Sequence, residues 1–157
     1  MQLISHSTDV DLIEKARTVV GIETSQLNRL AERLDENFSK AVGAIEETLK
    51  GGHKIVVIGV GKSEHIGNKF VATLNSTGAT TVSLNCQNAL HGDLGILSVG
   101  DLVIALSHSG ETTEMISLLP HAKKRASQII TITGDTKSTL AQHSDIVLDT
   151  YVDQEAC

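Results

Sequence analysis

Apolar positions along the chain change period near Gly52, and that change separates a helical stretch from one in which strands and helices alternate. Thr8 followed by Asp11 makes a helix start, and Leu12, Ile13, Ala16, Val19 and Val20 recur at helical spacing up to Gly21. A second helix carries Leu27, Leu30, Leu34, Phe38, Ala41, Ile45 and Leu49 at steps of three and four. Asp35, Glu36, Lys40 and Glu47 fall off that stripe, so roughly six turns present one apolar face before Gly51 and Gly52 end them. The simpler reading is that the stripe covers a sheet. A helical arm this long also suits packing against another subunit.

Beyond Gly52, five runs read as strands: Lys54 to Ile58, Thr80 to Leu84, Leu102 to Leu106, Gln128 to Thr133 and Ile146 to Asp149. Ile66, Phe70, Val71 and Leu74 describe a helix face between the first two, closed by the Ser76-Thr77-Gly78 turn. Met115, Leu118, Leu119 and Ala122 describe another, in which Pro120 removes a hydrogen bond and should kink or restart the helix. A short helix near Ser138 to Gln142 links the last two strands. The expected class is α/β, a three-layer αβα sandwich with a five-stranded parallel sheet preceded by long N-terminal helices. Residues 1–51 form the arm and 52–157 the sheet core of one domain.

Composition narrows the class of function. The 157 residues suffice for one core without disulfide or metal staples. A formal charge of −6, with two Phe, one Tyr and no Trp, argues against a nucleic-acid surface. Cys86 and Cys157 are too few for a disulfide framework and read as inert. No leader and no long apolar span is present, so a cytoplasmic location without a membrane partner is expected.

Three loops carry candidate chemistry. The run Leu102 to Leu106 feeds a turn in which Ser107, Ser109 and Thr112 surround Gly110 before an acidic helix. Such a junction offers free amides and the positive end of a helix dipole, which suits a phosphate. Equally, Ser109 can simply N-cap that helix, with Glu111 and Thr112 filling its first turn. The exit of the first strand, Ile58 to Gly67, fits neither nucleotide motif: Val56 stands where a P-loop needs its first glycine, and Glu64 where the dinucleotide fingerprint needs its third. What remains is a tight glycine turn, Gly59 and Gly61, that brings Lys62 and Ser63 toward a ligand. In open parallel sheets the first and third strands often flank the point where strand order reverses, so the two loops are expected to face each other. His91, in the loop Asn85 to Gly100, is either a turn residue or a group that bonds a sugar hydroxyl or relays a proton.

Taken together, Gly59-Val60-Gly61-Lys62-Ser63, His91-Gly92-Asp93-Leu94-Gly95, Ser107-His108-Ser109-Gly110-Glu111-Thr112-Thr113-Glu114, Ile132-Thr133-Gly134 and Glu155-Ala156-Cys157 resemble the sugar isomerase (SIS) domain of the arabinose-5-phosphate isomerases. The resemblance implies a five-stranded parallel sheet between helices, a homotetramer, and interconversion of D-ribulose 5-phosphate and D-arabinose 5-phosphate through an enediol(ate) on the route to Kdo, a lipopolysaccharide or capsule sugar. It assigns catalytic roles to Lys62, Glu114 and Glu155, and substrate contact to His91. Gly61, Ser63, Gly78, Ala79, Ser107, Ser109 and Thr112 make up the implied substrate and phosphate set. A carboxylate that moves a proton between adjacent carbons and a cation beside the enediolate oxygen are what such an isomerisation needs; no cofactor is implied.

The chain departs from that pattern in three ways. Asn85 replaces a histidine that can bind zinc, so no metal is expected there, with Cys86 the one soft ligand nearby. Unlike most members of that family, no CBS domains are expected. The closing helices and a further catalytic histidine lie beyond Cys157, so a continuation of some tens of residues is expected. The competing reading is a phosphosugar-binding sensor without turnover, which would have no use for Glu114 and Glu155.

Overall fold

The computed structural model describes residues 9–156; the expected helix start at Thr8 and the second cysteine, Cys157, lie outside them. The chain forms two compact units, one made of residues up to Arg33 together with Val152 onward, the other of Leu34–Tyr151. In the first unit α1 spans Asp9–Arg33. It does not end at Gly21, because a lone glycine costs a helix only about 1 kcal/mol. Lys15 with Asp11 (2.8 Å) and Arg17 with Glu14 (2.7 Å) brace the turns before it. The terminal segment is tied to α1 by an Arg29–Asp153 ion pair and by Gln26, whose Oε1 accepts from the Asp153 amide at 3.1 Å.

The break expected at Gly21 falls instead after Leu34. Asp35 is extended (φ −126°, ψ −170°), and its side chain accepts from the Asn37 amide at 2.9 Å, starting α2 over Glu36–Lys50. The apolar stripe drawn from Leu27 to Leu49 is therefore shared by two helices. A carboxylate N-cap defines a helix start more strongly than continuity of apolar spacing extends the preceding one.

The second unit holds β1 (Ile55–Gly59), α3 (Lys62–Ser76), β2 (Thr81–Asn85), α4 (Cys86–Leu90), β3 (Leu102–Leu106), α5 (Thr113–Ala122), β4 (Gln128–Thr133), α6 (Thr139–Gln142) and β5 (Ile146–Asp149). All five strands are parallel, in the order β2-β1-β3-β4-β5, with Ile55 opposite both Thr81 and Leu102. Alternate residues feed two cores. Val56, Ile58, Val103, Ala105 and Ile129 pack with Ala89, Met115, Leu118 and Leu140, so α4, α5 and α6 cover one face. Ile55, Val57, Leu102, Ile104 and Ile130 pack with Ala41, Ala44, Phe70 and Leu74, so α2 and α3 cover the other. This is the expected three-layer arrangement. Because both faces are covered, β1 and β3 are apolar at nearly every position rather than alternating.

Pro120 neither restarts α5 nor divides it. It lies in the last turn of the helix, where the Ile116 carbonyl loses its usual donor and little helix remains to disrupt. At the strand entrances Asp101, 1% exposed, ties β1 to β3: its carboxylate accepts from Lys54 Nζ at 2.5 Å and from the amides of Ser98 (2.7 Å) and Lys54 (3.2 Å).

Candidate active site

Strand order reverses between β1 and β3, which run from the interior of the sheet in register, Ile58 beside Ala105. Ligands collect at the carboxyl ends of strands flanking such a point. The loops leaving β1 and β3 are the two singled out by their residues, and the fold brings them to that one edge.

On the β1 side the chain turns at once into α3. A β-carbon on Gly59 would meet the Glu64 amide nitrogen at 2.8 Å and the Ser63 carbonyl carbon at 2.9 Å, so only glycine lets the first turn of the helix sit over the strand end. Lys62 is the first residue of α3 and is exposed; Ser63 follows, half-buried. Gly61 is the N-cap and brings no side chain to the opening amides.

On the β3 side the turn is braced from within and from behind. Ser107, 4% exposed, has its hydroxyl 3.0 Å from that of Thr112 and accepts from the Gly110 amide at 3.1 Å. The N-cap of α5 is Thr112, not Ser109, and its hydroxyl is turned back to Ser107 rather than onto the helix. Ser109 accepts from the Glu111 amide at 3.3 Å, and Glu111 lies outside the helix, accepting from the Thr139 amide at 2.6 Å. The capping reading is thereby corrected: no side chain caps the start of α5, and its first amides remain available to an anion.

Glu114 stands in the first turn of α5, half-buried, where Gln87 Nε2 donates to its Oε1 at 3.3 Å. Gln87 comes from α4, which Asn85 caps by accepting from the amides of Gln87 (2.8 Å) and Asn88 (3.2 Å). Asn85 also donates to Glu64 Oε2 at 2.7 Å. Cys86, fully buried between these residues, has its thiol pushed up to about 12, by burial first and then by the charges of Glu114 and Glu64. The thiol is a core residue, as expected from its surroundings.

The other expected residues are placed differently. His91 is the C-cap of α4, exposed, and its ring makes no hydrogen bond with the described residues. Gly78 and Ala79 precede β2 and lie at the amino-terminal edge of the sheet, where Gly78 lines a cleft with His53, Lys54 and Asp101. A five-residue strand separates them, by roughly 17 Å, from the edge that carries Ser107, Ser109 and Thr112. Within one copy of the chain they therefore cannot share a ligand with that turn. Glu155 is exposed and belongs to the first unit.

Glu64, Asn85 and Gln87 were not among the expected site residues. Only Asn85 carried a signal, as a cap residue directly after a strand. No group of three or more His, Cys, Asp and Glu among the described residues is placed to hold a metal ion, and no described helix is long and apolar enough to cross a membrane.

Known proteins resemble this chain. The arabinose 5-phosphate isomerase KdsD of Pseudomonas aeruginosa is 40% identical over 151 residues, 96% of this chain and 45% of that protein. The arabinose 5-phosphate isomerase KpsF of Escherichia coli is 37% identical over 153 residues, 98% of this chain and 48% of that one. The chain thus spans less than half the length of these curated relatives. An E. coli protein solved in complex with arabinose 5-phosphate superposes with a TM-score of 0.89 at 32% identity, over 96% of this chain and 79% of the other. The family model for the SIS domain matches residues 48–157. That match takes in the whole sheet and both edge loops, and the chain belongs to the SIS domain family.

Proposed function

We propose that this chain interconverts D-ribulose 5-phosphate and D-arabinose 5-phosphate, feeding the synthesis of Kdo. The observation that carries the reading is the uncapped start of α5 behind the Ser107–Thr112 hydroxyl pair, with Glu114 in the same turn and Lys62 on the facing loop. The phosphate rests on the open amides with Ser107, Ser109 and Thr112 around it. Glu114 takes the proton from C1 of the ketose and returns one to C2, while the Lys62 ammonium stabilises the enediolate oxygen. A proton moves between the two oxygens, and no redox cofactor is needed. His91 contacts the sugar, Glu155 is the second catalytic carboxylate, and the protein acts as a cytoplasmic homotetramer without nucleic-acid or membrane partners. The relatives named for this activity support the substrate.

The test is proton NMR of ribulose 5-phosphate incubated with the full-length protein, including any continuation beyond Cys157, in D2O. Arabinose 5-phosphate carrying deuterium at C2 is the expected product. Binding of the pentose phosphate without conversion would replace the isomerase with a sensor.

A further inference from the structure

We infer that Glu64 is a sugar-hydroxyl acceptor of this site and determines which sugar backbone is taken with the phosphate; the inference rests on the isomerase reading. Its bland alternative is a first-turn acid that complements the dipole of α3. That role needs no particular direction of the side chain, yet Glu64 is half-buried and held across the sheet edge by Asn85 Nδ2 at 2.7 Å. Asn85 has no freedom to turn away, because its Oδ1 is engaged by two α4 amides. One carboxylate oxygen of Glu64 is thus fixed by an amide, while Oε1 accepts nothing from the described residues and Glu64 forms no ion pair with them.

A purely structural role would not need the free oxygen of Glu64 to be held in a fixed direction. Glu114 is nearby: Asn85 and Gln87, which hold the two acids, flank a single buried residue, and both charges bear on its thiol. An oriented carboxylate with a free oxygen, presented beside the proposed proton-transfer group, is suited to accept from the hydroxyls of an open-chain sugar. It repels phosphate, so the ligand is oriented with its anionic end at the β3 turn and its hydroxyl-bearing carbons toward β1.

The experiment compares wild type with Glu64→Gln, which keeps the shape, and with Asn85→Ala, which releases the carboxylate. For Glu64→Gln the KM for ribulose 5-phosphate rises about tenfold or more, as expected for loss of a charge-assisted hydrogen bond. Its kcat changes little, and inhibition by inorganic phosphate stays the same or tightens. Asn85→Ala moves KM in the same direction by less. An unchanged KM in Glu64→Gln, or equal weakening of ribulose 5-phosphate and inorganic phosphate, overturns the inference. If the full-length wild type shows no turnover, the isomerase reading fails by itself. Calorimetry then decides the role of Glu64: loss of the preference for ribulose 5-phosphate over inorganic phosphate supports it, and a preserved preference overturns it.

Discussion

Gly110 and Ser138 stand so close that no β-carbon fits between them. An added methyl on Gly110 would overlap the Ser138 side chain, and Gly110 has φ +63° in addition. The amino end of α6 thus forms the back wall of the Ser107–Thr112 turn, with Leu140 donating to the Gly110 carbonyl at 3.1 Å. Gly110→Ala should cost roughly 2 kcal/mol or more from backbone strain and overlap. For a chain of this length that is a fall in melting temperature of roughly 4–8 °C, read by calorimetry together with a weakened affinity for inorganic phosphate. A variant with unchanged melting and phosphate binding would show that the turn is not held from behind.

Chemistry is tested at the two residues that the edge loops bring forward. Lys62→Ala and Glu114→Gln should each lower kcat by about a hundredfold or more. Both lie at exposed or half-buried positions in first helical turns, so the melting temperature should stay within a few degrees of wild type. Near-normal turnover in either variant would remove that residue from the proposed step.

The Asp101–Lys54 pair gives the fold an acid sensitivity. Burial pushes the Asp101 carboxyl up, but the Lys54 side chain and the Ser98 and Lys54 amides outweigh it, and the net shift is below the ordinary 3.8. A depressed folded-state value means the pair contributes fully above about pH 4 and is lost as pH falls further. Asp101→Asn should destabilise the protein at pH 7 by roughly 3 kcal/mol, since it leaves Lys54 without its buried partner. Its stability should also depend less on pH in the acid range. Urea titrations at neutral and acid pH read both effects, and an equally steep acid loss in the variant would assign the sensitivity elsewhere.

Cys86 is expected to be silent to thiol reagents in the folded protein. Its thiol is fully buried and titrates near 12, so thiolate is scarce at neutral pH, and reaction should follow unfolding. The raised value also predicts a loss of stability as pH climbs from about 9, where the unfolded chain ionises, toward 12. Cys86→Ala should flatten that alkaline limb. Rapid labelling of Cys86 under native conditions would contradict its burial.

The strands were readable because a sheet covered on both faces demands continuous apolar runs. β3, β4 and β5 have the bounds read from the sequence, while β1 and β2 begin one residue later. What escaped notice was decided by side chains rather than by period. Asp35 breaks a stripe that otherwise runs unbroken through Leu34 and Phe38, and α4 is too short, at five residues, to show any periodicity. The β1 and β3 loops were legible through their glycines and hydroxyls. Glu64 looked only like a misfit in a nucleotide motif, because its bond to Asn85 joins residues 21 positions apart that meet through β1–β2 pairing. Gly78 and Ala79 precede β2, as the sequence reading also had them, at the end of that strand opposite the hydroxyl turn.

The two cores on either face of the sheet leave chemistry only one place to change. With Val56, Val57, Val103 and Ile104 all packed between helices, no strand-interior residue can be recruited for a new substrate without creating a void or a clash. Variation at 60–64, 85–88 and 107–114 meets no such penalty, apart from Cys86 and Ser107, which are buried, Gly61, whose φ of +58° strains any side chain, and Gly110, which has no room for one. A directed-evolution library confined to those three segments should therefore retain a folded majority while altering sugar preference, and the sheet can serve as a fixed chassis for exchangeable phosphosugar specificities.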